Sequence, residues 1–199
     1  MLLYDSPVSG NCYKVRLLFA HLGVEYERRE VSVVDRSSRR ELLGGLNPAL
    51  RVPTLVFDDG RPLAESNAIL CHFGEGTRFV PEDAYEQAQV LQWLFWEQYE
   101  HEPALAVARF LKSYSGRPEL YEERRDELTR RGEYVLQTLE RHLDGREWLV
   151  DDAMTLADIA LYAYTHVADE GGFSLAAYPN VRRWLERVAA EQGHVSMAA

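Results

Sequence analysis

Residues 51–70 read Arg51-Val52-Pro53-Thr54-Leu55-Val56-Phe57-Asp58-Asp59-Gly60-Arg61-Pro62-Leu63-Ala64-Glu65-Ser66-Asn67-Ala68-Ile69-Leu70. Val52 to Phe57 is a short β-branched and apolar run, the pattern of a strand. Asp58-Asp59-Gly60 is a turn into a second strand, Arg61 to Ala64. Glu65 and Ser66 then open a helix through Phe73. Pro53 removes a ladder donor, so it belongs at a strand start or edge. A cis Val52–Pro53 bond is the sharper alternative, and sequence does not set the isomer.

The segments upstream alternate in the same way. Leu2 to Asp5 reads as a strand, and Ser6-Pro7 ends it. From Asn11 the apolar residues Val15, Leu18, Phe19 and Leu22 take helical spacing, and Gly23 supplies a stop. Tyr26 to Val33 reads as a strand, and Ser37-Ser38 starts a short helix through Leu43. The order is β-α-β-α-β-β-α. Residues 76–82 form the linker between a first domain, 1–75, and a second, 83–199. The second reads as helical throughout. Asp83 to about Ser113 is one long helix, with Pro103 a point where it would bend. Further helices run from Glu119 to His142, Thr155 to about Asp169, and Pro179 to Glu191. The fold class is thus an α/β unit followed by an all-α unit.

Bulk composition narrows the functions. The chain has 199 residues, 46% of them hydrophobic and 27% charged, enough for a sizeable core. Acids outnumber Lys and Arg by 32 to 22, which opposes non-specific nucleic-acid binding. Arg36 to Arg40 is the exception, read as a solvated face. No run reaches the ~20 apolar residues of a membrane helix. The N-terminus has no secretory signal, so the expected location is cytoplasmic. The two cysteines, Cys12 and Cys71, make neither a metal-ligand set nor a CxxC.

Three junctions carry chemistry beside an ordinary capping role. Ser9-Gly10-Asn11-Cys12 precedes the first helix. Ser9 and Asn11 suit an N-cap, and the same helix end favours an anion such as a thiolate. The backbone of Val52, if turned outward at Pro53, would pair with an extended peptide. Glu65 and Ser66 would hold the ammonium and carboxylate of an α-amino-acid head group. Thr155-Leu156-Ala157-Asp158 is a capping box and needs no chemistry.

The series Ser9-Gly10-Asn11-Cys12, Asn47-Pro48, Val52-Pro53-Thr54-Leu55, Glu65-Ser66-Asn67-Ala68-Ile69, Thr155-Leu156-Ala157-Asp158 and Tyr178-Pro179-Asn180-Val181 resembles the cytosolic glutathione transferases over nearly the whole chain. It is most similar to their bacterial, serine-type members. The resemblance implies a thioredoxin-like N-terminal domain, an all-helical C-terminal domain, a homodimer, and glutathione as co-substrate with no metal. It implies conjugation of the thiolate to small hydrophobic electrophiles, a detoxification chemistry. Glutathione would be held by Arg51, Val52, Pro53, Glu65 and Ser66. Ser9 would donate a hydrogen bond to the thiolate, with Asn11 a second donor and Tyr4 and Cys12 the rivals. A thiol near pKa 8.5 needs only ~2.7 kcal/mol to fall about two units. A charge-assisted hydrogen bond plus a helix terminus is of that order. His101, Arg109 and Tyr114 are candidates to line the acceptor pocket. The alternatives are a glutathione-dependent disulfide or peroxide reductase and a non-catalytic interaction module.

Overall fold

The computed structural model describes residues 1–150 and 152–199, and it divides into two units, Met1–Thr77 with Gln192–Ala199, and Arg78–Glu191.

The first unit holds a four-stranded mixed sheet, with strands β1 (Leu2–Asp5), β2 (Glu27–Glu30), β3 (Thr54–Val56) and β4 (Pro62–Ala64) in the order β2-β1-β3-β4. β1 runs parallel to β2 and antiparallel to β3, and β3 and β4 form a hairpin. Helices α1 (Gly10–Leu22), α2 (Arg39–Leu43) and α3 (Ser66–Gly74) complete the expected β-α-β-α-β-β-α order. This is a thioredoxin-like unit. Alternation along β1 sorts the faces, because successive side chains point to opposite sides. Leu3 packs with Val15, Phe19, Leu55 and Ile69, the layer of α1 and α3. Tyr4 packs with Val31 and Leu43, on the α2 side. α1 ends on Gly23 at φ 65°, where its N–H closes onto Ala20 and Phe19 carbonyls.

Strand β2 is shorter than the Tyr26–Val33 run suggests. All four of its residues are exposed, and it is held by pairing to β1 and by the Arg28 ion pair with Asp5.

The second unit is helical among the described residues. Its first long helix comprises α4 (Ala84–Trp96) and α5 (Glu102–Arg109), each followed by a π turn, Glu97–His101 and Phe110–Tyr114. The bend expected at Pro103 takes this form: Pro103 has no N–H to offer the preceding turn, and directly before it Glu102 N–H reaches back five residues to Glu97 O. The long α6 spans Pro118–His142. Its Gly132 is required by packing, since a Cβ there would stand 2.1 Å from the Phe173 ring.

α7 (Leu156–Thr165) stops short of Asp169 and yields to a 3-10 turn at Ala168–Gly171. At its end Thr165 Oγ1 donates to Leu161 O, and the His166 ring meets Tyr162 O, so side chains take up the final carbonyls. At its start the capping box is complete. Asp158 accepts from Thr155 N–H, Leu149 N–H and the Trp184 indole, which ties α7 to α8 (Pro179–Ala190). No helix among the described residues is long and apolar enough to cross a membrane.

Candidate functional site

Ser9 is the N-cap of α1, with φ −85° and ψ 119°. Its Oγ accepts the Cys12 N–H at 3.3 Å, and its own N–H donates to Ser6 O at 3.0 Å. A serine hydroxyl has two acceptor lone pairs and one proton. Accepting from Cys12 therefore leaves the Ser9 proton to be donated, beside the positive end of α1. Ser9 is 8% exposed, so its hydroxyl is near the surface and largely dried.

Of the two rivals, Cys12 adjoins Ser9 and Tyr4 does not. Cys12 is fully buried, and burial, then the Asp5 charge, pushes its thiol up to about 12. Such a thiol is not a nucleophile at neutral pH. Tyr4 lies on the α2 face of the sheet, with the Arg29 guanidinium 5.8 Å from its ring centroid.

The loop that carries Ser9 is fixed from below. Asp5, at the end of β1, is buried and ion-paired to Arg16 at 2.7 Å and Arg28 at 2.6 Å. Arg16 also donates to the carbonyls of Ser6 and Pro7. The same arginine reaches Met197 O, and Tyr13 donates to Val195 O, so the last residues of the chain strap α1.

At the opposite side of α1 stands the start of α3. Glu65 precedes it with φ 69°, a left-handed conformation that costs a non-glycine residue of order 1–3 kcal/mol. Ser66, the first residue of α3, is 4% exposed and donates to Asn11 Oδ1 at 3.3 Å. Asn11 thus joins the first helix to the third. Lys14 lies beneath both, fully buried, and donates to Ser66 Oγ and Asn67 Oδ1 at 3.4 Å each.

The Val52–Pro53 peptide is cis. The β1–β3 ladder ends at the Tyr4–Thr54 pair, so Val52 lies two residues beyond it. Buried Asn47 braces this loop: its amide donates to Arg51 O and Thr54 Oγ1 at 3.0 Å, while its Oδ1 accepts from Ala49 N–H. Arg51 itself is exposed. Arg39 sits close to it and donates to Ser32 O and Leu50 O. Burial, then the charges of Arg36 and Arg51, holds the Arg39 guanidinium below its ordinary value. The Arg36–Arg40 stretch is therefore partly a basic cluster at this loop rather than a simple solvated face.

Three further candidates lie in the helical unit. His101 is fully buried, with Nε2 2.8 Å from Thr165 Oγ1 and Nδ1 3.9 Å from Glu97 Oε1. Arg109 pairs with Glu170 at 2.9 Å, and Tyr114 bonds to both. Arg109, Tyr114 and Glu170 are thus tied to one another, and His101 is held separately by Thr165. Among the described residues no group of three or more His, Cys, Asp or Glu side chains forms a metal site.

Sequence reading passes over Lys14 and Arg39. The signal for Lys14 is its position: α1 is buried from Cys12 to Phe19 without a break, so a lysine inside it has internal partners. Arg39 is masked by four neighbouring arginine and serine residues of similar chemistry.

Comparison with known proteins follows the same division. Residues 8–75 match the glutathione S-transferase N-terminal domain, and residues 103–192 match the glutathione S-transferase C-terminal domain. A glutathione S-transferase structure from Pseudomonas fluorescens Pf-5 is 43% identical, with a TM-score of 0.95 over 100% of this chain and 98% of that one. Another, from Xanthobacter autotrophicus Py2, is also 43% identical, with a TM-score of 0.94 over 98% and 96%. The disulfide-bond oxidoreductase YfcG of Escherichia coli K12 is 29% identical over 94% of this chain and 88% of its own length. The two domain matches together span most of the sequence, and the chain belongs to the glutathione S-transferase family.

Proposed function

We propose that this protein is an enzyme that transfers glutathione to small, hydrophobic electrophiles, with Ser9 stabilising the thiolate. One observation carries this reading: Ser9 is the N-cap of α1, its hydroxyl at the positive end of that helix, where a thiolate would accept its proton. Serine is too weak an acid to serve as a base at neutral pH, so its role is donation. The thiolate attacks the electrophilic carbon, a C–S bond forms, and the leaving group departs with its electron pair. In the tripeptide, the γ-glutamyl head group meets Ser66 and Glu65, whose left-handed backbone is the kind of feature retained at a working site. The central backbone runs beside Val52 and Pro53, and the glycine carboxylate meets Arg51, with Arg39 beside it. Asn11 is a second donor near the sulfur. His101, Arg109 and Tyr114 we read as internal ties of the helical unit rather than acceptor contacts, given the bond of His101 to Thr165 and those of Arg109 and Tyr114 to each other and to Glu170.

The exposed residues Leu91, Phe95 and Tyr99 recur every four positions along the first long helix, and we assign them to contact with a second copy in a homodimer.

The second reading is disulfide reduction by glutathione, favoured by the 29% identity to a disulfide-bond oxidoreductase. With Cys12 buried and its thiol pushed up, that activity too would use the thiol of glutathione.

The test is retention on immobilised glutathione together with a conjugation assay on a chlorinated aromatic and a disulfide-reduction assay. Retention with conjugation supports the first reading, and retention with disulfide reduction alone supports the second. Passage through the resin, with no activity above a boiled control, overturns both.

A further inference from the structure

We propose that Arg16 is a positioning residue for Ser9, clamping the loop that delivers the serine hydroxyl to the head of α1. This rests on the glutathione reading above.

Helix geometry brings the two residues together. Arg16 follows Ser9 by two turns of α1, and a seven-residue step returns to the same face within about 20°. Helical side chains lean toward the N-terminus, which aims the guanidinium back at the chain before Ser9. It arrives there buried. One terminal nitrogen, Nη1, donates to Asp5 Oδ1 at 2.7 Å and Ser6 O at 3.4 Å. The other, Nη2, donates to Pro7 O at 3.3 Å and Met197 O at 2.7 Å. A single fork thus joins the end of β1, the Ser6–Pro7 turn and the C-terminal segment. Asp5, which also pairs with Arg28, anchors the fork to the sheet.

The loop depends on that outside donor. Pro7 has no N–H of its own to give. The bond that closes the loop, from Ser9 N–H to Ser6 O at 3.0 Å, ends on the same carbonyl that Arg16 holds. A shift of Ser6 O therefore carries the Ser9 backbone with it. A hydrogen bond weakens steeply as its angle opens, so a donor to sulfur needs its backbone held still. Burial of Arg16 has a cost that shows what the residue is there to do. Its Nε is buried and makes no hydrogen bond, an unfavourable state for a charged donor. Packing alone would be served as well by an apolar side chain. The four acceptors of the fork would not, and neither would a lysine serve them, because its ammonium is a single point where the guanidinium is a plane.

The test is Arg16→Lys, which keeps the charge and loses the fork, made in the full chain with and without Ser9→Ala. The pKa of bound glutathione is read by thiolate ultraviolet absorbance, and kcat is followed against pH with a chlorinated aromatic. Affinity for S-methylglutathione, which has no thiol proton to lose, is read by titration calorimetry. Arg16→Lys should raise the bound thiol's pKa by about half to one unit and move the acid limb of kcat up in pH by the same amount. Its affinity for S-methylglutathione should stay within about twofold of wild type. In the Ser9→Ala background the same change should raise the thiol no further, because its effect passes through that hydroxyl. Should Arg16→Lys fail to fold, Tyr13→Phe carries the same comparison. It removes the Tyr13 bond to Val195 O, two residues before the Met197 carbonyl that holds the fork, and a smaller rise is expected, again absent without Ser9. An unmoved thiol pKa in the folded variant, or a rise of equal size with and without Ser9, overturns the assignment and leaves Arg16 a structural ion pair. Wild-type protein that binds no glutathione, or whose bound thiol is unmoved by Ser9→Ala alone, overturns the glutathione reading and this role with it.

Discussion

Replacing Ser9 separates the capping role seen in the structure from the thiolate donation proposed above. As the N-cap of α1 it accepts the Cys12 N–H, and at 3.3 Å this is a long bond, so its loss belongs at the low end of the range for a lost cap, about 0.5–1 kcal/mol. In the proposed role of thiolate donor it would make a charge-assisted hydrogen bond, worth about 1.5–3 kcal/mol. That second figure corresponds to about one to two pKa units of the bound thiol. Ser9→Ala removes both functions. Ser9→Gly removes the donor but keeps most of the cap, since glycine is nearly as good there as serine. Both variants should lose about 10- to 100-fold in kcat at neutral pH. Both should recover as pH rises, because the thiol then ionises without help. Glutathione affinity should change little. Only Ser9→Ala should lower the unfolding midpoint measurably. The assay is kcat against pH with a chlorinated aromatic, alongside thermal unfolding. A Ser9→Gly enzyme with wild-type turnover at neutral pH would refute the donor role and leave only the cap.

Three other outcomes follow from the site and its supports. Cys12→Ala should keep conjugation and any disulfide reduction within a few-fold of wild type, since burial and Asp5 hold that thiol at about 12 and out of the thiolate form; loss of turnover in a folded Cys12→Ala would transfer the chemistry to Cys12. Arg51→Ala and Arg39→Ala should raise the KM for glutathione, each by about 1–3 kcal/mol or roughly 5- to 150-fold, with kcat nearly constant, because a carboxylate contact remote from sulfur is uniform binding; a fall in kcat at fixed KM would contradict this. Asp158 is raised by burial from its ordinary 3.8 to about 6, so the folded protein holds the proton more tightly than the unfolded chain. Stability should therefore decline as pH climbs through that window, by about 3 kcal/mol in total, and Asp158→Asn should flatten the decline in urea midpoints measured across it; parallel pH slopes for the two proteins would refute the assignment.

The sequence exposed those parts of the molecule that depend on local spacing. Strand–turn–strand–helix over residues 51–74 was legible because Pro53, Gly60 and Ser66 each fix a backbone event at a known place. The α7 capping box was legible for the same reason, since Thr155 and Asp158 meet within one turn. Ser9 could be placed at a helix start, but its bond to the Cys12 N–H needed coordinates. The π turns at Glu97–His101 and Phe110–Tyr114 left no trace in the apolar spacing, because one extra residue per turn shifts the pattern less than ordinary variation does. Lys14 was hidden by a general expectation. Charged residues on a helix normally mark its wet face, and no wet face is available along the middle of α1.

That burial has a consequence for how the candidate site is held. α1 carries Lys14 and Arg16 inside a continuous buried stretch, where each charge needs partners. Arg16 finds Asp5, and in doing so binds the carbonyls of Ser6 and Pro7, the two residues that lead into the Ser9 loop. Lys14 finds Ser66 and Asn67, where α3 begins. The two cations point to opposite flanks of one helix, and each fixes a segment that the proposed chemistry needs. Apolar replacements of similar volume at such sites are often neutral or stabilising, so stability alone gives little reason for an ion here. Orientation does give one. A leucine at position 14 would offer Ser66 Oγ no donor, and a leucine at position 16 would take the guanidinium donor from the carbonyls of Ser6 and Pro7.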